Sequence, residues 1–122
     1  MAKVIHFELM GDDGDGLTKF YEGLFGWKTQ AVEGYDGYNF VSTDDAGVGG
    51  AIGRGPEEAR SYLSVYFQVD SIDQTLEQAE LAGAKTLVPR TVLPGIVTYG
   101  MFADPAGNMV GLTEPAEAVP GS

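Results

Sequence analysis

The chain has 122 residues, no cysteine and a net charge of −11, from 18 acidic and 7 basic residues. This length suits one domain, and the absence of cysteine excludes disulfides, thiolate metal ligands and a cysteine nucleophile. Because nucleic acids and anionic membrane surfaces require a basic partner, the acidity argues against both. No apolar run approaches the ~20 residues of a membrane span. No secretory signal is visible either, so we expect a cytoplasmic protein.

The first half of the chain is predicted to form one strand, one helix and three further strands. Residues 4–10 alternate apolar and polar side chains, which is typical of a strand with one face in a core. Asp15 is the predicted N-cap of a helix that ends at Gly26. The apolar side chains of that helix share one face and are Leu17, Phe20, Tyr21 and Leu24. The three strands that follow are predicted at 27–32, 35–43 and 48–53.

The same order of elements begins again after a linker at 54–61. A strand at 62–69 precedes a helix from Asp70 to Gly83, and three strands follow at 85–92, 96–102 and 109–113. We therefore predict an α+β domain over 1–122, built from two βαβββ modules that pack together because one module has too little core alone. The predicted boundaries are 3–53 for module one, 62–114 for module two and 115–122 for a frayed tail.

Two segments together resemble a known superfamily. The first is the helical segment Asp15–Trp27, and the second is the compact turn Asp104-Pro105-Ala106-Gly107-Asn108 between two strands. The pair resembles the vicinal oxygen chelate superfamily, which includes the glyoxalase I, bleomycin-resistance and extradiol dioxygenase families, over residues 4–114. This resemblance implies curled mixed sheets around a cleft, with the helices on the outer face.

Alternation along the two leading strands defines a polar face opposite the helices. Since the helices must bury their own apolar stripes, they are expected to cover Ile5, Phe7 and Leu9 in module one and the set Leu63, Val65, Phe67 and Val69 in module two. The opposite face then carries His6, Glu8 and Met10 from one strand and Ser64, Tyr66 and Gln68 from the other. If the sheets curl as the resemblance implies, these side chains line a small-molecule cleft.

The resemblance also implies where metal ligands would stand. His6 falls on the first ligand position, ahead of Phe20 and Tyr21, but Ser64 replaces a second histidine and Gly111 replaces a glutamate. The remaining position offers only Gly49, Gly50 and Ala51. A divalent metal requires three or four suitable protein ligands, so we expect neither a metal nor another cofactor.

The departures from the metal-ligand pattern favour the bleomycin-resistance branch, whose members hold a ligand in a metal-free groove. We expect a non-catalytic protein that binds an aromatic or cationic small molecule, for drug or toxin sequestration and antibiotic resistance. The expected ligand-binding residues are His6, Glu8, Tyr38, Ser64, Tyr66, Gln68, Tyr99 and Gly111, among a wider aromatic set that adds Trp27, Tyr35 and Phe40. The resemblance further implies a homodimer.

Two enzymatic alternatives stay open. The first is a metal-free lyase or isomerase in which His6 is the catalytic general acid or base, with Glu8 or Tyr66 nearby. The second is a metal-dependent glyoxalase or dioxygenase with an incomplete ligand set, completed by a partner subunit. The sequence contains a single histidine, so a Ser-His-Asp triad cannot be argued from the order of its residues.

Overall fold

A computed structural model describes residues 2–35, 37–57 and 61–115. Three helices and eight strands lie in these ranges, and they confirm the α+β class. The second half follows the predicted order of one strand, one helix and three strands, whereas the first half has an additional four-residue helix at Thr43–Ala46, where a turn was predicted. The elements are β1 (Lys3–Gly11), α1 (Gly14–Phe25), β2 (Thr29–Ala31), β3 (Tyr38–Val41), α2 (Thr43–Ala46), β4 (Gly50–Arg54), β5 (Tyr62–Gln68), α3 (Ile72–Leu81), β6 (Lys85–Leu93), β7 (Val97–Ala103) and β8 (Met109–Thr113). Residues 58–60 of the predicted linker and 116–122 of the predicted tail lie outside the described residues.

Contacts along the chain separate it into two compact units. The first, here the N-terminal unit, is Ile5–Val65. The second, here the C-terminal unit, combines residues 2–4 with residues 66–115 of the described chain. The boundary falls inside β5, so Tyr62 and Ser64 belong to the N-terminal unit, whereas Tyr66 and Gln68 belong to the C-terminal unit.

In the N-terminal unit the strand order is β2-β3-β4-β1. β1 and β4 are parallel, with Glu8 opposite Ala51, and the other neighbours are antiparallel. Helix α1 packs on β3 and β4 through its small residues. A methyl group at Gly14 would overlap the carbonyl oxygen of Gly37, and the Thr18 hydroxyl accepts a hydrogen bond from Asn39 Nδ2 at 3.0 Å.

In the C-terminal unit the strand order is β5-β8-β7-β6, and α3 packs on β6 and β7. Ile72, Leu76 and Leu112 form its buried core, with Phe67 and Phe102 packed against them. The carboxylate of Glu114 accepts a hydrogen bond from the Ile72 N–H at 2.8 Å and pairs with Arg90, and these two contacts lower the pKa of Glu114. The end of β8 is thereby tied to the start of α3.

Local signals placed the helix ends to within a few residues. Gly26 ends α1 in the left-handed conformation, with φ of 72°, as predicted. The predicted N-cap, Asp15, is wrong: Asp13 caps the helix, because its Oδ1 accepts a hydrogen bond from the Gly16 N–H at 2.9 Å. Asp15 lies in the first turn, where its charge favours the helix dipole.

The apolar faces are less completely covered than the alternation predicted. Leu63 is 69% exposed, and Ile5 and Val65 are also exposed, although all three were assigned to the helix-covered face. On α1, Phe20 and Leu24 are also exposed. The buried residues of this helix are Gly14 and Thr18, so its close contact with the sheet is made by small residues and not by the predicted apolar stripe.

The turn between β7 and β8 is a compact reversal, as predicted. Asp104 Oδ1 accepts hydrogen bonds from the N–H groups of Ala106 and Asn108, both at 2.9 Å, and Gly107 adopts a φ of 94°. The hydrogen bonds from the Asn108 side chain and backbone hold the pKa of Asp104 below its ordinary value. None of the helices in the described ranges has the length and apolarity needed to cross a bilayer.

Candidate functional site

A buried carboxylate held by two tyrosines is the most distinctive polar arrangement of the N-terminal unit. Glu8, in β1, is only 6% exposed. Its Oε2 accepts a hydrogen bond from the Tyr38 hydroxyl at 2.8 Å, and its Oε1 accepts one from the Tyr62 hydroxyl at 3.0 Å. Each carboxylate oxygen therefore has its own phenol donor, and the orientation of the carboxylate is fixed from two sides. We call Glu8, Tyr38 and Tyr62 the carboxylate clamp.

Strand register explains why the clamp forms on this face. Met10 lies opposite Gly53, which lies opposite Tyr38, and residues paired in this way present their side chains on one face. Gly53 leaves room for the tyrosine, since a methyl group there would be 2.7 Å from Tyr38 Cδ2. The Tyr38 ring therefore lies over Gly53, and its hydroxyl reaches Glu8 on the same face.

His6 lies two residues before Glu8 on β1, so both side chains are on the same face of the sheet. Burial lowers the pKa of His6 below its ordinary value of 6.5, and the charge of Glu8 opposes this effect without cancelling it. The imidazole is therefore neutral at neutral pH and able to accept a proton. Ser64, on β5, is buried, and its hydroxyl donates to the Val65 carbonyl oxygen at 3.3 Å.

The lowered pKa of His6 predicts a loss of stability on mild acidification. Below pH 6.5 the unfolded chain takes up a proton more readily than the folded chain does, so the free energy of unfolding falls as the pH falls through the folded pKa. The loss is at most about 1.4 kcal/mol per pH unit for one proton. Urea denaturation between pH 7.5 and 5.5 measures it. His6 is the only histidine, so an unchanged slope in the His6→Gln variant would contradict this assignment.

In the C-terminal unit a tyrosine ring occupies the space beside a glycine. Tyr66, on β5, lies opposite Gly111 on β8, and any methyl group at Gly111 would overlap the Tyr66 ring. The ring is buried, and its hydroxyl lies 3.8 Å from the sulfur of Met101 on β7. Gly111 thus accommodates the aromatic ring of Tyr66, and it contributes no polar side chain.

Thr113 lies between Gln68 and Tyr99 on the same face of the sheet as Tyr66 and Gly111. Thr113, on β8, is paired with Gln68 on β5 and with Tyr99 on β7. It is only 4% exposed, and its hydroxyl oxygen has no hydrogen-bond partner among the described residues. The α3 core lies on the opposite face with Leu112, so Thr113 points away from the helix.

The residues at the ligand positions implied by the family do not fit a divalent metal. His6 supplies an imidazole, but Gly111 supplies no donor, and the space beside it is filled by Tyr66. On β4, Ala51 lies opposite Glu8 and has no donor either. Within residues 2–35, 37–57 and 61–115, no three His, Cys, Asp or Glu side chains gather as a metal site would require.

The structure distributes the predicted ligand-binding residues between the two units. Glu8 and Tyr38 are in direct contact and share their unit with His6 and Ser64, whereas Tyr66 contacts Gly111 in the unit that also holds Gln68 and Tyr99. Trp27 packs with Phe7, Tyr21 and Phe25 on the helix side of β1, away from Glu8.

Sequence reasoning missed Tyr62, which donates to Glu8, and Thr113, whose hydroxyl is buried without a partner among the described residues. Extending the alternation of Ser64 and Tyr66 back by two residues reaches Tyr62, and extending it from Gly111 forward by two reaches Thr113. The signal for a shared face was therefore present in both strands. Their hydrogen-bonding states, which distinguish them from ordinary strand residues, have no counterpart in the sequence.

Comparison with known proteins gives consistent matches. The family model described as Glyoxalase/Bleomycin resistance protein/Dioxygenase superfamily matches residues 3–112. The anthracycline biosynthesis protein DnrV of Streptomyces peucetius is 31% identical over 95% of this chain and 50% of that protein, so the chain spans about half the length of this curated relative.

Solved structures show the same fold at low sequence identity. Methylmalonyl-CoA epimerase of Mycobacterium tuberculosis matches with a TM-score of 0.68 and 13% identity, covering 93% of this chain and 88% of that one. A glyoxalase/bleomycin resistance protein/dioxygenase superfamily member from Vibrio splendidus matches with a TM-score of 0.64 and 15% identity, covering 93% and 98% of the respective chains.

Proposed function

Because this chain belongs to the Glyoxalase/Bleomycin resistance protein/Dioxygenase superfamily, we propose that it is a metal-free binding protein for a small aromatic molecule that carries a positive charge. The carboxylate clamp is the observation that carries this proposal. Two phenols orient the Glu8 carboxylate through hydrogen bonds of 2.8 and 3.0 Å and add no positive charge of their own. The neutral imidazole of His6 adds none at neutral pH.

A buried carboxylate favours a cationic ligand group for electrostatic reasons. Its charge interacts more strongly with an ammonium group at a buried site than in water, because the surroundings screen the charges less. Holding the carboxylate in one orientation before binding also reduces the entropy lost on association. The overall charge of −11 further favours the approach of a cation.

Aromatic side chains beside the clamp support a flat ligand. Tyr38 and Phe40 form an edge-to-face pair with ring centroids 5.9 Å apart. They are two residues apart on β3, and Phe40 is paired with Ala51, which is paired in turn with Glu8. The exposed Phe40 ring is therefore on the same face as the carboxylate and offers a surface for stacking.

The relative at 31% identity guides the choice of a probe. It is named for anthracycline biosynthesis, and anthracyclines are fused-ring aromatic compounds that bear an amino sugar. Daunorubicin, which has both features and is fluorescent, therefore tests the proposal directly. We expect saturable binding with a Kd of about 1–100 µM and recovery of the unchanged compound from the complex. Absence of saturable binding up to about 1 mM would overturn the proposal.

Metal analysis tests the metal-free part of the proposal. Protein purified without chelators is expected to contain far less than one equivalent of zinc, nickel, manganese or iron, because the ligand positions beside His6 lack donors. Treatment with EDTA should leave daunorubicin binding unchanged. Stoichiometric metal that disappears in the His6→Ala variant would contradict this expectation and favour the metal-dependent alternative, with ligands supplied by a partner subunit.

A metal-free lyase or isomerase is the second candidate, and the state of His6 favours it. A half-buried imidazole that is neutral at neutral pH can serve as a general base, and Glu8 is close enough to oppose the fall in its pKa. Conversion of a bound compound into a new product, detected by mass spectrometry and abolished in His6→Ala, would replace sequestration with this activity. Recovery of unchanged ligand from the wild-type complex counts against it.

We also propose that the protein acts as a homodimer. The matched relative is about twice as long as this chain, so two copies of this chain together would have about the length of that relative. Leu63, which is 69% exposed beside the exposed Val65, is a suitable contact residue. Light scattering is expected to give twice the 12.9 kDa of the chain, and a monomer at all concentrations would exclude the dimer.

A further inference from the structure

The backbone immediately before Tyr38 is in close contact with the start of α1. A methyl group at Gly14, the first residue of the helix, would overlap the carbonyl oxygen of Gly37 and would lie 2.8 Å from the backbone nitrogen of Arg54. The Arg54 N–H in turn donates to the Gly37 carbonyl oxygen at 3.1 Å. The residue before Tyr38 is therefore held between α1 and β4, at a separation that a side chain at position 14 would not permit.

The residue immediately after Tyr38 is fixed to the same helix by buried hydrogen bonds. Asn39 and Thr18 are both buried. Asn39 Nδ2 donates to Thr18 Oγ1 at 3.0 Å, and the Thr18 hydroxyl donates to the carbonyl oxygen of Gly14 at 2.7 Å. Thr18 thus acts as acceptor and donor at once, and it joins β3 to the first turn of α1.

Tyr38 lies between these two contacts and points to the other face of the sheet. Successive side chains of a strand alternate, so Asn39 faces the helix while the Tyr38 ring lies over Gly53 and donates to Glu8 Oε2. A tyrosine ring is rigid, so the place of its hydroxyl follows the place of the strand backbone. The helix contacts on either side of Tyr38 therefore control the distance from its hydroxyl to Glu8.

We propose that Thr18 and Asn39 are positioning residues for the carboxylate clamp. Their hydrogen bond holds β3 against the first turn of α1, so that the Tyr38 hydroxyl stays on Glu8 before a ligand arrives. The effect on ligand binding rests on the proposed function, and it follows because an orientation held in advance reduces the entropy lost on association. Thr18 and Asn39 act through Tyr38, on the face of the sheet opposite the clamp.

The test uses Cζ of Tyr38, the ring carbon that bears the hydroxyl, as an NMR probe of the clamp in isotope-labelled protein. Its resonance is identified by its absence in Tyr38→Phe. Thr18→Val keeps the shape of the side chain and removes the hydroxyl, so we expect the Tyr38 resonance to shift and the Kd for daunorubicin to rise about three- to ten-fold. Thr18→Ser keeps the hydroxyl and should restore the resonance, with a Kd within about two-fold of the wild type.

A double variant distinguishes positioning from a purely structural contribution. Thr18→Val alone leaves the buried Asn39 amide without its acceptor, so it also lowers the resistance to urea. Adding Asn39→Leu replaces both partners by apolar groups and should recover most of that resistance. The Tyr38 resonance and the Kd should stay displaced, because the directional bond between β3 and α1 is still missing. Ile72→Val, in the core of the C-terminal unit, lowers stability away from β3 and should change neither.

The outcomes separate this assignment from the proposed function, because the resonance is measured without ligand. A Tyr38 resonance that keeps its wild-type position in Thr18→Val, or returns to it in the double variant, overturns the positioning role. If circular dichroism shows that Thr18→Val is unfolded, the double variant provides the comparison. Wild-type protein that fails to bind daunorubicin, together with a Tyr38 resonance that shifts in Thr18→Val, overturns the proposed function and supports the positioning role.

Discussion

Replacing Glu8 with glutamine is expected to weaken daunorubicin binding by about ten-fold or more, equivalent to at least 1.4 kcal/mol of binding free energy. The substitution removes the buried negative charge and keeps the size of the side chain. The amide nitrogen cannot accept a hydrogen bond, so one of the two phenols can no longer donate to residue 8 as it does to the carboxylate. Fluorescence titration of the wild type and the variant under the same salt conditions measures the change.

A matched control separates this local effect from the change in overall charge. Glu77 is exposed on α3, and Glu77→Gln makes the same one-charge reduction from −11. It should leave the Kd within about two-fold, because exposed charges act weakly through screened solvent. Equal weakening by both variants would show that general attraction, and not the clamp, binds the ligand.

The tyrosines of the clamp provide a check if Glu8→Gln folds poorly. Tyr62→Phe removes one donor to Glu8 Oε1 and keeps both the ring and the carboxylate. A smaller loss of affinity, about two- to five-fold, is expected, because one neutral hydrogen bond no longer orients the charge. Circular dichroism confirms that the variants are folded before the affinities are compared.

Substituting Gly111 with alanine is expected to destabilise the protein by about 1–3 kcal/mol, the usual effect of overpacking a buried site. The added methyl group would overlap the ring of Tyr66, which is itself buried and cannot move freely into solvent. Since Gly111 has no unusual φ, the effect arises from this overlap and not from backbone strain. Urea denaturation at constant pH measures the free energy of unfolding.

Two further variants test the cause of that destabilisation. Gly23 has no neighbour within 4 Å of an added methyl group and lies within α1, so Gly23→Ala should stabilise the protein by about 0.5–1 kcal/mol. In a Tyr66→Leu background, Gly111→Ala should cost less than in the wild type, because the ring that it meets is gone. Additive effects of the two substitutions would contradict the contact.

Much of the fold could be predicted because its signals are local. The period-two pattern of residues 4–10 and the Asp104–Asn108 turn both specify their conformations through neighbouring residues, and each was predicted correctly. The prediction that Leu63 and Val65 are covered by a helix was wrong, because alternation indicates that they share a face without indicating what covers that face.

The residues alone determined the two-module order, the acidic surface and the placement of His6 and Glu8 on one face, since each follows from composition or from spacing along a single strand. Only the tertiary structure decided that Tyr62 reaches Glu8 across 54 residues of sequence, that Tyr66 fills the space beside Gly111 and that the buried Thr113 hydroxyl has no partner among the residues that the structure describes. These contacts depend on strand register and side-chain rotamers, which are set by packing across the sheet and therefore leave no local pattern in the sequence.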